Sequence, residues 1–136
     1  MIFTAIKAAD LLCHAVLFSH TRTLHAVKVM ETIKTELGLG TIQELRSSFG
    51  GGCINRAKAY RTDKYGDIFV KFNDNEKAQE MFDGEFASLQ ALLDTNTIRV
   101  PKPIKRFSIG NDCCLAMEFL DMRGPSDSEK LGTNIA

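Results

Sequence analysis

The sequence has neither a net charge nor a hydrophobic run long enough to span a membrane. Seventeen basic residues balance 17 acidic ones, so composition favours neither a nucleic acid nor an anionic membrane as an obligatory partner. The apolar stretch at residues 8–18 contains Asp10 and His14 and is too short to cross a bilayer. With 136 residues, 44% of them hydrophobic, we expect one globular core whose function comes from a specific site.

Histidine and cysteine are too scattered to suggest a metal site. All three histidines lie within the first 25 residues, and the four cysteines lack the spacing of metal ligands. The cysteines are Cys13, Cys53, Cys113 and Cys114. We therefore predict reduced thiols, a cytoplasmic location and no bound metal in this chain.

Residues 1–29 differ in composition from the rest of the chain and are predicted to form an N-terminal extension. This segment contains one acidic residue, Asp10, and is rich in hydroxyl side chains. A mitochondrial or other organelle targeting segment is one interpretation, and an unstructured or helical extension is the preferred one. From Met30 the pattern sharpens, because Ile33 and Leu37 are four residues apart and Gly38 comes next. A short helix is predicted to end there.

Three consecutive glycines, Gly50, Gly51 and Gly52, separate two segments that are predicted to be strands, Thr41–Phe49 and Cys53–Thr62. Glycine allows backbone N–H groups to approach an anion closely, because no Cβ stands in the way. A phosphate-binding turn is therefore one interpretation, and an ordinary glycine-rich β-turn is the other.

A turn at residues 63–66 leads into a third predicted strand, Ile68–Phe72, which contains a lysine among apolar residues. Alternation along the strand places Phe69 and Lys71 on one face and Ile68, Val70 and Phe72 on the other. Lys71 then either reaches solvent from a sheet edge or faces a cleft.

The next segment, Glu76–Asp94, has the clearest helical pattern in the chain. Its apolar residues form one stripe along the helix, made up of Ala78, Phe82, Phe86, Leu89 and Leu93. Glu85 falls at the edge of this stripe, whereas Glu76 and Glu80 project toward solvent. A lone inward carboxylate needs a counter-ion, so we predict a Lys71–Glu85 ion pair; the alternative is that Glu85 reaches solvent at the rim of the stripe.

The last part of the chain is predicted to form a second hairpin. Residues 100–104 contain two prolines, which exclude a helix. Strands are expected at Ile104–Ile109 and Cys113–Leu120, joined by a turn at residues 110–112. The strand changes from apolar to polar residues at Glu118. Its end either offers backbone C=O and N–H groups to a planar heterocycle or simply belongs to the apolar core.

Five segments together resemble the fructosamine-3-kinase and ketosamine-3-kinase family: SFGGGCIN, DIFVKFN, MFDGEFASL, NTIRVPKPIK and LAMEFLDMRG. The resemblance covers roughly residues 30–136. It implies an α+β fold, the small lobe of a protein-kinase-like enzyme, with a five-stranded antiparallel sheet and one main packed helix. Residues 30–123 would form this lobe and residues 124–136 would begin a second, large lobe.

The resemblance also implies a role for each site residue. Gly50, Gly51 and Gly52 would cover the phosphates of ATP, Lys71 would contact them, and Glu85 would hold Lys71. The adenine would lie against the strand end, and the residues implied there are Met117 at the back of the pocket with the backbone of Glu118, Phe119 and Leu120. Family members phosphorylate the 3-hydroxyl of ketosamines, so ATP and glycated protein lysines or small ketosamines are the expected partners.

The family's catalytic aspartate in a His-Gly-Asp-type loop, its asparagine and its magnesium-binding aspartate belong to the large lobe and are absent from these 136 residues. No catalytic residue is therefore assigned, and Mg²⁺ is expected only with that lobe. Two functions are consistent with this: a ketosamine kinase by family, or an inactive lobe that acts as a nucleotide-binding or protein-interaction module. A small α/β domain without a nucleotide site is a third interpretation.

Cys53 directly follows the glycines, and Lys71, Arg56 and Lys58 are expected nearby, where positive charge favours the thiolate. We predict a redox-sensitive cysteine that links two chains, as the resemblance also implies; the alternative is a small apolar side chain that fills a turn.

An exposed apolar patch is also expected where the small lobe would meet the large one. It would consist of Met117, Phe119, Leu120 and Met122. Such a patch predicts self-association or a bound partner.

Overall fold

The computed structural model of the chain describes residues 23–46 and 56–121. Helix α1 covers residues 23–37. The elements after it are β1 (Ile42–Leu45), β2 (Arg56–Thr62), β3 (Gly66–Asn73), α2 (Ala78–Thr95), β4 (Pro103–Ile109) and β5 (Asp112–Glu118). The strands form one five-stranded sheet in the order β1-β2-β3-β5-β4, and every neighbouring pair is antiparallel. The predicted α+β fold, with a five-stranded antiparallel sheet and a packed helix after the third strand, is confirmed.

The sheet separates two apolar clusters, because alternate residues of its central strands point to opposite faces. On one face, Ile68, Val70 and Phe72 of β3 pack with Ile33 and Leu37 of α1. On the other face, Leu115 and Met117 of β5 pack with Phe82 of α2, and Phe69 of β3 adjoins them. The predicted alternation in β3 is confirmed, and each face is covered by one helix.

Helix α1 ends where the sequence predicted but begins earlier. Gly38 has φ +62°, the left-handed conformation typical of a helix C-terminus, and the Leu39 N–H donates to the Lys34 carbonyl at 2.9 Å. The helix runs continuously through Met30, and the domain boundary expected after residue 29 stays a prediction. Residues 1–22 lie outside the described part of the chain, and the targeting segment stays a prediction.

Helix α2 matches its predicted stripe closely. Ala78 and Phe82 are buried, and Glu76 and Glu80 are exposed, as predicted. The helix begins at Ala78 rather than Glu76, because the turn before it is closed by the Asn75 side chain, which accepts the Lys77 N–H at 3.0 Å.

The ends of the strands differ from prediction in physically simple ways. β4 begins at Pro103, which is tolerated at the first position of an edge strand because no ladder N–H is needed there. At the β2–β3 turn, the Thr62 hydroxyl donates to the Gly66 carbonyl at 2.8 Å, and Gly66 has φ +69°. Neither helix, as far as residues 23–46 and 56–121 show, is long and apolar enough to cross a membrane.

Candidate functional site

The centre of the site is an ion pair between the sheet and helix α2. Lys71 projects from β3, Glu85 from α2, and Lys71 Nζ lies 2.5 Å from Glu85 Oε1. The two side chains are 25% and 30% exposed, so each is shielded from bulk water but open on one side. The predicted contact between Lys71 and Glu85 is therefore confirmed.

An apolar surface surrounds this pair. Lys71 is in register with Leu115 of β5, and Phe69 is in register with Met117. Leu115 and Met117 are buried against Phe82. A lysine held among apolar neighbours keeps its ammonium partly desolvated, which strengthens its attraction to an anion.

Met117 does not contribute to an exposed patch, and that part of the prediction is wrong. Only 4% of Met117 is exposed, because α2 covers the sheet face onto which its side chain points. Phe119 and Leu120 are half-buried, and the rings of Phe119 and Phe69 lie 6.4 Å apart. Met122 lies outside the described residues.

The end of β5 is fastened to its neighbours on both sides. The Glu118 N–H donates to the Lys102 carbonyl at 2.8 Å, and the Phe119 N–H donates to the Asp67 carbonyl at 3.0 Å. A ligand lying here would have to bind backbone groups other than these two N–H groups, such as the Glu118 carbonyl or the Leu120 backbone, because both N–H groups already have partners.

The Glu118 side chain is also engaged. Its carboxylate pairs with Arg99 at 2.7 Å and accepts the Lys102 N–H at 3.3 Å. Arg99 and Lys102 belong to the connector between α2 and β4, which borders an open cleft of about 640 Å³ with Glu118 on its wall. Arg99 was not identified from the sequence, since no pattern connects residues 19 positions apart.

The glycine-turn residues Gly50, Gly51 and Gly52, together with Cys53, lie outside the described residues. The chain enters β2 at Arg56, and the next residue, Ala57, is in register with Lys71. The roles of the three glycines and the reactivity of Cys53 stay predictions.

The two described cysteines are adjacent on β5 and face opposite sides of the sheet. Cys113 adjoins the α2 cluster, and Cys114 lies in the α1 cluster. Burial raises the pKa of the Cys114 thiol to about 12, so this thiol stays protonated and unreactive at neutral pH. In residues 23–46 and 56–121, no three His, Cys, Asp or Glu side chains come together in a way that could hold a metal ion.

Comparison with known proteins places these features in one family. A family model described as fructosamine kinase matches residues 12–136, so the match starts well before Met30, where the sequence resemblance was expected to begin. The ketosamine-3-kinase of Mus musculus is 49% identical over 110 residues, which are 79% of this chain and 35% of that protein. The chloroplastic protein-ribulosamine 3-kinase of Oryza sativa subsp. indica is 45% identical over 94 residues, 66% of this chain and 26% of that protein.

Among solved structures, the crystal structure of a candidate fructosamine-3-kinase from Haemophilus somnus 129PT matches with a TM-score of 0.48 and 21% identity, covering 74% of this chain and 33% of that one. The chain thus spans 35% of the mouse relative and 26% of the rice relative. Because the family model covers nearly all of these 136 residues, the chain belongs to the fructosamine kinase family.

Proposed function

We propose that this chain carries the nucleotide-binding part of an ATP-dependent ketosamine 3-kinase. Such an enzyme would transfer phosphate to the 3-hydroxyl of ribulosamine or fructosamine adducts on protein lysines, or of small ketosamines. The proposal is supported by the family match and by relatives named ketosamine-3-kinase and protein-ribulosamine 3-kinase.

The Lys71–Glu85 pair is the observation that carries the proposal. An ammonium has three N–H donors, and Glu85 Oε1 accepts one of them. The same ammonium can therefore donate to a phosphate oxygen while Glu85 keeps the lysine chain oriented. A charge-assisted bond of this kind is among the strongest available to a binding site.

The remaining site residues are assigned around this pair. Gly50, Gly51 and Gly52 would cover the phosphates with backbone N–H groups. The adenine would lie near Met117 and bind the backbone of the strand end at the Glu118 carbonyl and at Leu120, with Phe119 between them. The Glu118 and Phe119 N–H groups already have partners, so adenine would use other backbone groups of this strand end.

Phosphoryl transfer needs groups beyond this site. Positioned metal ions and a catalytic base supply most of the rate enhancement in kinases, and no catalytic base is assigned among these residues. No histidine follows His25, so a His-Gly-Asp loop is not among these 136 residues. For a polypeptide of these residues alone, the second candidate function is a nucleotide-binding or protein-interaction module that does not transfer phosphate.

The test is ATP binding to the 136-residue polypeptide by isothermal titration calorimetry. Lys71→Met should weaken binding about tenfold or more, since it removes a hydrogen bond to a charged group. Lys58→Met is the matched control, because Lys58 is also paired with a glutamate, Glu44, at 2.9 Å, but on the opposite sheet face. The Lys58→Met variant should bind ATP as tightly as the unmodified chain.

The same samples should produce no phosphorylated ribulosamine or fructosamine from ATP. ATP binding that is absent, or that is unchanged in Lys71→Met, would refute the nucleotide site. If product forms above the level of a protein-free blank, the claim that phosphoryl transfer needs groups outside these residues is wrong.

A further inference from the structure

Helix α2 is held to the sheet unevenly along its length. Its two buried side chains, Ala78 and Phe82, lie in its first two turns. Beyond Phe82, the residues that face the sheet are half-buried, including Glu85 and Phe86. The turn that presents Glu85 to Lys71 is therefore anchored less firmly than the start of the helix.

Gly84 weakens the same turn further. A glycine in a helix interior lowers helix stability relative to alanine, because its backbone is freer in the unfolded chain. Packing does not require glycine here, since a Cβ added at Gly84 would meet nothing within 4 Å beyond its chain neighbours and the helix's own backbone. The helix is thus intrinsically weak immediately before Glu85.

Arg106 of β4 contacts both sides of this weak turn. Its guanidinium forms an ion pair with the Asp83 carboxylate and lies 5.0 Å from the centre of the Phe86 ring. Asp83 and Phe86 flank Gly84 and Glu85 in the sequence. One side chain from the sheet therefore joins β4 to the part of α2 that carries the paired glutamate.

We propose that Arg106 is a positioning residue that keeps Glu85 on Lys71. Arg106 acts through α2, and the functional consequence rests on the proposed nucleotide site. The Arg106 side chain is 44% exposed, so the ion pair and the cation–π contact are each modest. Together they should shift the equilibrium between the formed and the broken Lys71–Glu85 pair by about fivefold.

The first readout needs no nucleotide. Nuclear Overhauser contacts between the Lys71 Hε and Glu85 Hγ protons report the pair directly. Arg106→Gln should weaken these contacts, and Arg106→Lys should preserve them, because lysine keeps both the charge and an interaction with the Phe86 ring. Lys105→Gln is the control: Lys105 is the preceding residue of β4 and pairs with Glu36 of α1 at 3.0 Å, so its loss should leave the contacts intact.

The second readout is ATP affinity. Arg106→Gln should weaken binding about fivefold, and adding Gly84→Ala should restore it by stiffening the turn. In a Glu85→Gln background, Arg106→Gln should have no further effect, since the pair that it positions is already broken. Circular dichroism at each step confirms that the variants are folded.

Two results would overturn the proposal. One is Arg106→Gln with Lys71–Glu85 contacts equal to those of the unmodified chain. The other is an equal loss of ATP affinity with and without Glu85, which would indicate a general structural effect. If the unmodified chain binds no ATP, the proposed function fails, but the proton contacts still decide whether Arg106 positions Glu85.

Discussion

At the residue scale, Asp63 joins the β2–β3 turn to the chain that enters β1. Both of its carboxylate oxygens accept the Gly40 N–H at 3.1 Å, and the backbone of Thr41 is the main cause of the lowered pKa of Asp63. Position 40 suits glycine because a Cβ there would collide with the Asp63 carboxylate. A carboxylate that accepts backbone N–H groups is stabilised in its charged form.

This arrangement predicts a pH-dependent contribution to stability. The folded-state pKa of Asp63 lies below its ordinary value of 3.8, so the charged carboxylate stabilises the fold above that pH, and the effect is lost as pH falls through the folded-state pKa. Asp63→Asn should lower the melting temperature by a few degrees at pH 7. The difference from the unmodified chain should shrink as pH falls below 3.8. Melting curves between pH 7 and pH 2.5 test this, and a difference that stays constant would contradict it.

At the element scale, α2 depends on Phe82 for its attachment to the sheet. Phe82 is 2% exposed and packs in one buried cluster with Leu115 and Met117. Phe82→Ala should lower the free energy of unfolding by about 3–5 kcal/mol, through lost burial and the cavity that remains. Its neighbour Met81, 43% exposed, provides the control, because Met81→Ala removes little buried surface.

Urea unfolding monitored by circular dichroism measures both changes. Equal effects of the two substitutions would show that α2 is not held by its buried face. Because a typical domain is stable by only about 5–15 kcal/mol, the loss of Phe82 should also raise the fraction of unfolded chains at 37 °C.

The sequence predicted these elements wherever one strong local pattern dominates. The apolar stripe of α2 and the alternation in β3 repeat over several turns or residues, so their faces are unambiguous. The Lys71–Glu85 pair could be predicted because a single inward carboxylate and a single strand lysine needed partners. These are consequences of periodicity and charge, which are local properties of the chain.

Other features depend on contacts that local patterns do not encode. The Arg106–Asp83 and Arg99–Glu118 pairs join residues 23 and 19 positions apart. The hydrophobic pattern of a sequence does not show which exposed charges will pair. Met117 was expected in an exposed patch because the apolar end of a strand does not reveal which face a helix covers. The early start of α1 was missed because residues 23–29 lack a clear apolar stripe. Two of their apolar side chains, Leu24 and Val27, are exposed.

At the scale of the whole molecule, helices on both sheet faces restrict which thiols can react. Cys114 is 1% exposed inside the α1 cluster, and the raised pKa of its thiol leaves almost no thiolate at neutral pH. Cys113 is partly buried beside α2. The Cys114 thiol is therefore excluded from an intermolecular disulfide and the Cys113 thiol is partly shielded, and Cys53, with the basic residues Arg56 and Lys58 close in sequence, stays the predicted link.

Mild oxidation should accordingly convert the chain into a disulfide-linked dimer that a thiol reductant reverses. Non-reducing electrophoresis of the unmodified chain, Cys53→Ser and Cys113→Ser makes the comparison. The dimer should vanish in Cys53→Ser, because the attacking thiolate is gone, and persist in Cys113→Ser, because the Cys113 thiol is partly covered where β5 packs against α2. A dimer band that survives in Cys53→Ser, or an unmodified chain that stays monomeric after oxidation, would exclude Cys53 as the link. A dimer held by apolar contacts alone is distinguished from a disulfide-linked one by a sample without oxidant. Such a dimer would appear in size-exclusion chromatography but not on the gel.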